Sequence, residues 1–291
     1  MRREILGYCR ICGNHTKLTR EHFPPKAAFN GKQFITTSVN LYKTKQGIMW
    51  QKKLRDGGNA KYRTCADCNI KTGSWYGTAY KEFAEACEPF ARPRFARQIG
   101  HIDTIPFYPL RVVKQAICSI LASAQTEHDF GKLSTVASSQ RAILGPPPTK
   151  ILTDLSAATR VLPALREFVS NKHATGLPKG VKLFLYLVAG LKGKSSGCGV
   201  MEDERDSTFA VTAEFAWFPL GWILLCDGVL NEPIREVTEW AKYDYNRQWP
   251  LNELSISCQW GEAGMLDFRS PQEIEEGRIK NEEFLKSIGR L

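Results

Sequence analysis

The sequence predicts an α+β protein in two parts, a small metal-stabilised N-terminal domain and a larger mixed domain with an antiparallel sheet. Two Cys-x-x-Cys pairs in the first quarter of the chain, Cys9/Cys12 and Cys65/Cys68, predict a metal that holds the first part together. Apolar, β-branched and aromatic runs at 181–188 and 208–226 predict core strands in the second part. We place the boundary near residue 100, which gives domains of 1–100 and 101–291.

Composition is that of a globular protein that buries a core. The chain has 291 residues, of which 43% are hydrophobic. No apolar run approaches the roughly 20 residues of a membrane span, and the N-terminus has no apolar signal segment. The sequence therefore predicts a cytoplasmic protein with no membrane partner. Five further cysteines are scattered and odd in number, so we expect reduced, buried thiols: Cys87, Cys118, Cys198, Cys226 and Cys258.

Positive charge is concentrated in the segment that carries the cysteine pairs. Residues 1–72 hold 15 Lys/Arg and 4 Asp/Glu, a net charge of +11, whereas the remainder holds 25 basic and 26 acidic residues. A basic segment of this kind is the electrostatic footprint of a polyanion partner. The alternative, a solvated basic face without a partner, is weakened because the charge coincides with the cysteine motif.

In the first part, we expect a strand near residues 18–22 that stops at Pro24-Pro25, because proline donates no ladder hydrogen bond. Residues 34–39 and 48–54 are β-prone, and the turn sequence at 56–59 follows them. A helix should begin near Ala66 and continue, with a break at Gly73, to about residue 90.

In the second part, residues 110–125 carry apolar residues at the spacing of an amphipathic helix, and a further helix is expected over 157–171. Residues 190–206 are rich in Gly and Ser and predict a loop between the two core strands. This part offers no catalytic motif of its own.

The cysteine pairs bracket more chemistry than a structural metal site needs. Four thiolates in two close pairs are the usual ligand set of a structural Zn²⁺. Glu21 and His22 lie between the pairs, and Asn69 follows the second pair directly. An imidazole can take a proton from water near neutral pH, and carboxylate and amide oxygens suit a hard divalent cation such as Mg²⁺. His22 is therefore the candidate general base, with Glu21 and Asn69 as candidate metal ligands.

The order Cys-x-x-Cys, Glu-His-x-x-Pro, Cys-x-x-Cys-Asn resembles the zinc-knuckle form of the HNH endonucleases, whose domain is a ββα-metal fold. The resemblance covers about the first quarter of the chain. It implies a metal-dependent hydrolase of nucleic-acid phosphodiester bonds, with double-stranded DNA as the expected substrate. It also implies zinc bound by Cys9, Cys12, Cys65 and Cys68, and a catalytic Mg²⁺ or Mn²⁺.

This sequence departs from the family pattern at two points. Glu21 stands where the family commonly has Asp, which leaves the identity of the metal open. The middle Asn of the motif has no certain counterpart, with Asn59 the first choice and Asn40 the second. Phosphate contacts are expected from basic residues around the motif: Arg10, Lys17, Arg20, Lys52, Lys53, Arg55 and Lys71.

Two alternatives remain open from the sequence. A zinc ribbon could bind nucleic acid without cleaving it, and a nuclease toxin or effector could be silenced by its own C-terminal domain. The second domain could supply substrate choice, homodimerisation or a regulatory partner. A bacterial or phage defence or restriction system is the setting that the resemblance suggests.

Overall fold

A computed structural model describes most of the chain, in segments. The described residues are 4–31, 34–44, 47–91, 100–102, 106–123, 161–189, 194–203, 208–226, 234–249, 254–256 and 258–260.

The strands and helices are numbered here in chain order. The strands are β1 Leu6–Tyr8, β2 His15–His22, β3 Phe34–Thr44, β4 Gly47–Arg55, β5 Ala60–Cys65, β6 Gly100–Ile102, β7 Val181–Ala189, β8 Lys194–Asp203, β9 Thr208–Trp217, β10 Leu220–Cys226, β11 Arg235–Glu236, β12 Leu254–Ile256 and β13 Cys258–Trp260. The helices are α1 Ala66–Thr72, α2 Thr78–Cys87, α3 Pro109–Ser123 and α4, residues 161–170. Shorter turns are a π-helical turn Gly73–Gly77 and 3₁₀ turns Glu88–Ala91 and Thr238–Lys242.

A small antiparallel sheet with the order β1-β2-β5 leads directly into α1. Strand β2 ends at His22, before Phe23 and Pro24, as the proline positions predict. Its register with β5 places Leu18 opposite Cys65 and His22 opposite Ala60, with a bulge between Thr19 and Arg20. Cys65 and His22 therefore lie at different ends of this strand pair.

Strands β3 and β4 form an antiparallel hairpin within the predicted β-prone insertion. The hairpin is a two-stranded sheet of its own, and its return strand ends just before the turn at 56–59. Gly57 and Gly58 in this turn have positive φ, as the glycine pair predicts.

The helix that follows Cys65 is interrupted where Gly73 predicts a break, and the interruption is a full π-helical turn. Single π turns inserted in α-helices occur frequently at functional sites. Beyond it, Ala79, Phe83 and Cys87 of α2 are buried, which confirms the predicted apolar stripe, although Phe90 is partly exposed.

Helix α3 differs from the amphipathic helix that the spacing predicts, because nearly all of it is buried. It contacts the π turn, α2, the 3₁₀ turn at Thr238–Lys242 and strand β9, so that no long face meets solvent. Three polar residues are enclosed as a result: Lys114, Gln115 and Ser119.

The second part is built on an antiparallel sheet with the order β11-β7-β10-β9-β8, and β13 adds to β7 in parallel. The predicted core strands are confirmed as β7, β9 and β10. The loop predicted over 190–206 is wrong, since residues 194–203 form β8. Pairing with β9 supplies the backbone hydrogen bonds of this edge strand and outweighs the low strand propensity of Gly and Ser.

A continuous hydrophobic core contains residues from both sides of the predicted boundary. Trp222 Nε1 donates to Tyr80 Oη at 3.0 Å, and Tyr76 Oη donates to the carbonyl of Val169 at 2.9 Å. The two parts therefore share buried contacts, while a boundary near residue 100 stays a prediction. Within the described residues, every helix is too short or too polar to cross a bilayer.

Candidate active site and metal centre

The four motif cysteines come together in space. Their sulfur atoms all lie within 4.8 Å of one another, and Cys12 Sγ is 4.0 Å from Cys65 Sγ. Tetrahedral zinc with Zn–S bonds of about 2.3 Å needs sulfur–sulfur separations of about 3.8 Å. The cluster could therefore hold a metal such as zinc with small side-chain adjustments.

Local backbone geometry explains why the first pair folds as it does. Gly13 has φ +78 and donates its N–H to the carbonyl of Cys9 at 2.9 Å, while Cys9 donates its N–H to the carbonyl of Asn14 at 2.9 Å. The second pair begins at the end of β5 and continues into the first turn of α1. The two pairs are joined directly, since the N–H of Cys65 donates to Cys9 Sγ at 3.3 Å.

Three thiols of the cluster differ in acidity, since the pKa of Cys9 is lowered and those of Cys12 and Cys68 are raised. A hydrogen bond from the Cys68 thiol lowers the pKa of Cys9 to about 4, and the same interaction raises the pKa of Cys68. Burial raises the pKa of Cys12. Thiolate is the ligand form, so metal binding would release the remaining thiol protons.

Glu21, His22 and Asn69 line one cavity of about 260 Å³, which lies beside β2, α1, the π turn and α2. The remaining lining residues are Phe23, Pro25, Lys26, Ala27, Thr72, Gly73, Gly77, Thr78, Lys81 and Gln115. The three residues singled out by the sequence thus line a common space.

His22 is held in one orientation by the 56–59 turn. Its Nε2 lies 2.7 Å from the carbonyl oxygen of Gly57. A carbonyl can only accept, so Nε2 carries the proton and donates. In the neutral ring, Nδ1 is then the nitrogen with a free lone pair.

Asn69 is oriented by a hydrogen bond to the hydroxyl group of Thr19. The Thr19 hydroxyl donates to the carbonyl of Thr64 at 3.0 Å, so it must accept from Asn69 Nδ2, which lies 3.4 Å away. This arrangement turns the amide nitrogen toward β2 and leaves the amide oxygen available to a cation.

Asn59 braces the segment that follows His22. Its Nδ2 donates to the carbonyl of Phe23 at 3.1 Å, and its carbonyl accepts from the N–H of Phe23 at 3.1 Å. Its contacts are those of a loop-orienting residue rather than of a metal ligand. Asn40, the second choice, lies on β3 opposite Met49, where the structure describes the backbone pairing alone.

Sequence reasoning missed Asn30, which completes this brace. Asn30 is fully buried, accepts from the N–H of Asn59 at 2.6 Å and donates to the carbonyl of Pro24 at 2.6 Å. Gly58 lies so close that a Cβ there would be 1.9 Å from the carbonyl oxygen of Asn30. An isolated Asn after a phenylalanine carries no sequence signal for this role, because its partners come from the 56–59 turn.

The basic residues predicted to contact phosphate have different environments. Lys71 and Arg20 are exposed, and Lys17 is exposed and paired with Glu4. Arg10 is 6% exposed, which argues against a surface contact for its side chain. The three basic residues of β4 lie where the structure describes backbone pairing alone: Lys52, Lys53 and Arg55.

Strand β5 carries further positive charge next to the motif, at Lys61 and Arg63. Burial, together with repulsion from Arg63 and Arg10, lowers the pKa of Lys61, which pairs in register with Glu21. Two more lysines that the sequence did not single out, Lys26 and Lys81, line the cavity itself.

No protein-family model, curated protein or solved structure matches the chain. The functional conclusion therefore depends on the chemistry and geometry of the site.

Proposed function

We propose that this protein is a metal-dependent HNH endonuclease that hydrolyses phosphodiester bonds of nucleic acid. The observation that carries the proposal is that Glu21, His22 and Asn69 line one cavity, while the four cysteines that bracket Glu21 and His22 in sequence come together in one cluster. A base, a carboxylate and an amide oxygen at one cavity are the groups that metal-assisted phosphodiester hydrolysis requires.

The cysteine cluster is proposed as a structural zinc site. All four positions are taken by sulfur, which leaves no coordination position for a substrate. Bound there, the ion would tie the loop before β2 to the start of α1. That tie fixes the separation between β2, which carries Glu21 and His22, and α1, which carries Asn69.

Glu21 and Asn69 are the residues proposed to hold a divalent cation, Mg²⁺ or Mn²⁺. The donor set fits, because both residues line the same cavity and carry oxygen donors, and the contact with Thr19 uses the amide nitrogen of Asn69 and not its oxygen. When bound, such a cation polarises the phosphate and stabilises the leaving oxygen. Glu21 is one methylene longer than the Asp common in the family, so the choice between the two cations is part of the proposal to be measured.

His22 is proposed as the general base. Its Nε2 is committed to the carbonyl of Gly57, so Nδ1 is the atom that would take a proton from water. The water oxygen then attacks phosphorus, one P–O ester bond breaks, and the leaving oxygen acquires a proton from solvent. Asn59 and Asn30 keep the base in place through the Phe23 and Pro24 carbonyls.

Nucleic acid is the proposed partner because residues 1–72 carry a net charge of +11 and the cavity contains two lysines. Double-stranded DNA is proposed on the HNH resemblance. A defence or restriction role follows from the same resemblance.

Plasmid cleavage tests the proposal. Supercoiled plasmid is incubated with the zinc-loaded full chain and Mg²⁺ or Mn²⁺, and nicked and linear products are measured over time. We expect His22→Ala to lower the cleavage rate by about 10²–10⁴-fold, the usual contribution of a general base. His173→Ala, an exposed histidine outside the cavity, is the matched control and should cleave at the wild-type rate.

Equal cleavage by wild type and His22→Ala would refute the catalytic assignment. Binding of duplex DNA without cleavage under any of these conditions would instead support the non-catalytic zinc ribbon. The silenced-toxin alternative cannot be tested by simple deletion after residue 100, because Tyr76 and Tyr80 are buried against the second part.

A further inference from the structure

Helix α3, which lies outside the motif segment, contributes a side chain to the cavity. Gln115 is 4% exposed and lines the same space as Glu21, His22 and Asn69. The cavity is therefore completed by the second part of the chain, although that part carries no recognisable catalytic motif.

The side chain of Gln115 has an unpartnered oxygen. Its Oε1 is shut away from solvent, and among the described residues no donor lies within hydrogen-bonding distance of it. A buried acceptor without a partner is destabilising, and such groups in folded proteins call for a functional or structural explanation. An apolar side chain of equal volume would fit an otherwise buried helix better.

Two other buried polar residues of α3, Lys114 and Ser119, do have partners. Lys114 Nζ donates to the carbonyls of Asn171 and Lys172 at 2.5 and 3.3 Å, and Ser119 Oγ donates to the carbonyl of Gln115 at 3.1 Å. Lys114 thereby binds the carbonyls that follow α4. Gln115 is the one of these three that faces the cavity.

The cavity that Gln115 lines also carries other groups that suit an anion. Two ammonium groups line it, from Lys81 of α2 and from Lys26 of the loop after β2. A hydroxyl group is added by Thr78 of α2. Lys81 is held at 3.4 Å from Glu85 one turn further along α2. Gly73 and Gly77 of the π turn add no side-chain bulk, and a Cβ built at Gly73 would meet nothing within 4 Å.

We propose that Gln115 is a substrate-contacting residue whose carboxamide N–H donates to a non-bridging oxygen of the phosphodiester group, with Lys81 supplying positive charge beside it. Oε1 is enclosed by protein and Nε2 is not among the buried unpartnered atoms, so we assign the N–H end to the cavity that Gln115 lines. This inference rests on the proposed nuclease function and adds phosphate-binding groups from α2 and α3 to the cavity that the motif residues line. Donors aimed at a phosphoryl oxygen stabilise the charge that develops there during hydrolysis.

The test compares stability with activity in the full chain. Gln115→Met keeps the volume and removes both polar atoms, so the Tm should equal or exceed that of wild type while kcat for plasmid cleavage falls about tenfold or more. Gln115→Glu keeps an acceptor but loses the donor and adds negative charge, so it should cleave no faster than Gln115→Met. A role as acceptor would instead preserve activity in Gln115→Glu and would overturn the proposal.

Ser123→Ala is the matched control. Ser123 Oγ is also buried without a partner among the described residues and lies two turns further along α3, outside the cavity. Its removal should leave cleavage unchanged. If Gln115→Met cleaves at the wild-type rate, or if it loses activity only in proportion to a lower Tm, Gln115 is structural and the proposal fails.

A binding measurement separates this inference from the nuclease proposal. Fluorescence anisotropy with a labelled 20-base-pair duplex measures the affinity of the zinc-loaded protein for DNA. The buffer contains no Mg²⁺ or Mn²⁺, so the DNA stays intact during the measurement. We expect His22→Ala to bind like wild type and Gln115→Met to bind more weakly. Weaker binding by Gln115→Met in a protein that never cleaves would sustain the phosphate contact and reject the nuclease. Equal binding and equal cleavage, or no binding by wild type, would reject the contact.

Discussion

The cysteine cluster and the Glu21–His22 cavity lie towards opposite ends of the same strand pair, β2 and β5, and differ in how far their polar groups are satisfied. At the cysteine end, backbone N–H groups close each turn, and Cys9 Sγ accepts from the N–H of Cys65. At the cavity end, His22 is anchored through one ring nitrogen, and Gln115 Oε1 has no partner among the described residues.

This difference is the one we expect between a site that stabilises the fold and a site that binds a substrate, which are the roles proposed above for the two ends. A site that only stabilises the fold can use its donors and acceptors internally, and the backbone N–H groups around Cys9 do so, although Thr64 Oγ1, next to Cys65, is buried without a partner among the described residues. A site that must bind a substrate has to leave donors, acceptors or charges open until the substrate arrives, at a cost in stability. The three predictions below test that contrast, in order of decreasing effect.

The largest effect is expected from the cysteine end. Cys12→Ser removes one of the four sulfur ligands, and we expect zinc content to fall from about one ion per chain to a small fraction, with loss of folding of the first part. Zinc analysis and circular dichroism measure both. Cys87→Ala, a buried thiol outside the cluster, should keep its zinc. Full zinc content in Cys12→Ser would contradict a four-cysteine site.

An intermediate effect is expected at the turn that anchors His22. Gly58→Ala would put a Cβ 1.9 Å from the Asn30 carbonyl at φ +83, so we expect a loss of about 2–4 kcal/mol in the free energy of unfolding. Gly57→Ala is the matched control, because φ is +74 but a Cβ there meets nothing within 4 Å. It should cost about 1 kcal/mol, the strain of a left-handed residue alone. Thermal denaturation of both variants measures the difference, and equal losses would show that the contact with Asn30 does not matter.

The smallest effect concerns Lys114, the partnered neighbour of Gln115. Burial lowers the pKa of Lys114 to about 8 from the ordinary 10.5. Between these values the unfolded chain holds a proton that the folded chain has released, so stability contributed by this residue rises with pH through that window and is constant below it. The Cys118 thiol beside it stays neutral there, because burial raises its pKa.

The measurement is the difference in unfolding free energy between wild type and Lys114→Met at several pH values. We expect wild type to gain about 1–3 kcal/mol relative to the variant between pH 8 and 10.5. Urea denaturation provides the values, and the subtraction removes the contributions of other titrating groups. A difference that does not change with pH would mean that Lys114 is solvated like an ordinary surface lysine.

Much of the site could be predicted from short-range spacing. The two-residue spacer in each cysteine pair and the position of Asn69 one residue after Cys68 are set within a single turn of chain, so each half of the cluster follows from local geometry. The meeting of the two halves depends on the β1-β2-β5 sheet, because Cys12 and Cys65 are 53 residues apart. The strands β7, β9 and β10 were predictable for a similar reason, because long apolar runs can be buried in few ways. The same kind of reasoning failed for β8, whose Gly and Ser residues are held in a strand by pairing with β9.

What the sequence determined by itself is the chemical inventory: four sulfurs in two pairs, an acid and an imidazole on one strand, and an excess of positive charge in the first quarter of the chain. Tertiary structure alone decided that Asn30 and Gly58 lock the segment after His22, and that Gln115 reaches the cavity from a distant helix. The physical reason is distance along the chain. Ligand spacing and periodicity are local properties, whereas a buried contact between residues far apart in sequence depends on how whole elements pack.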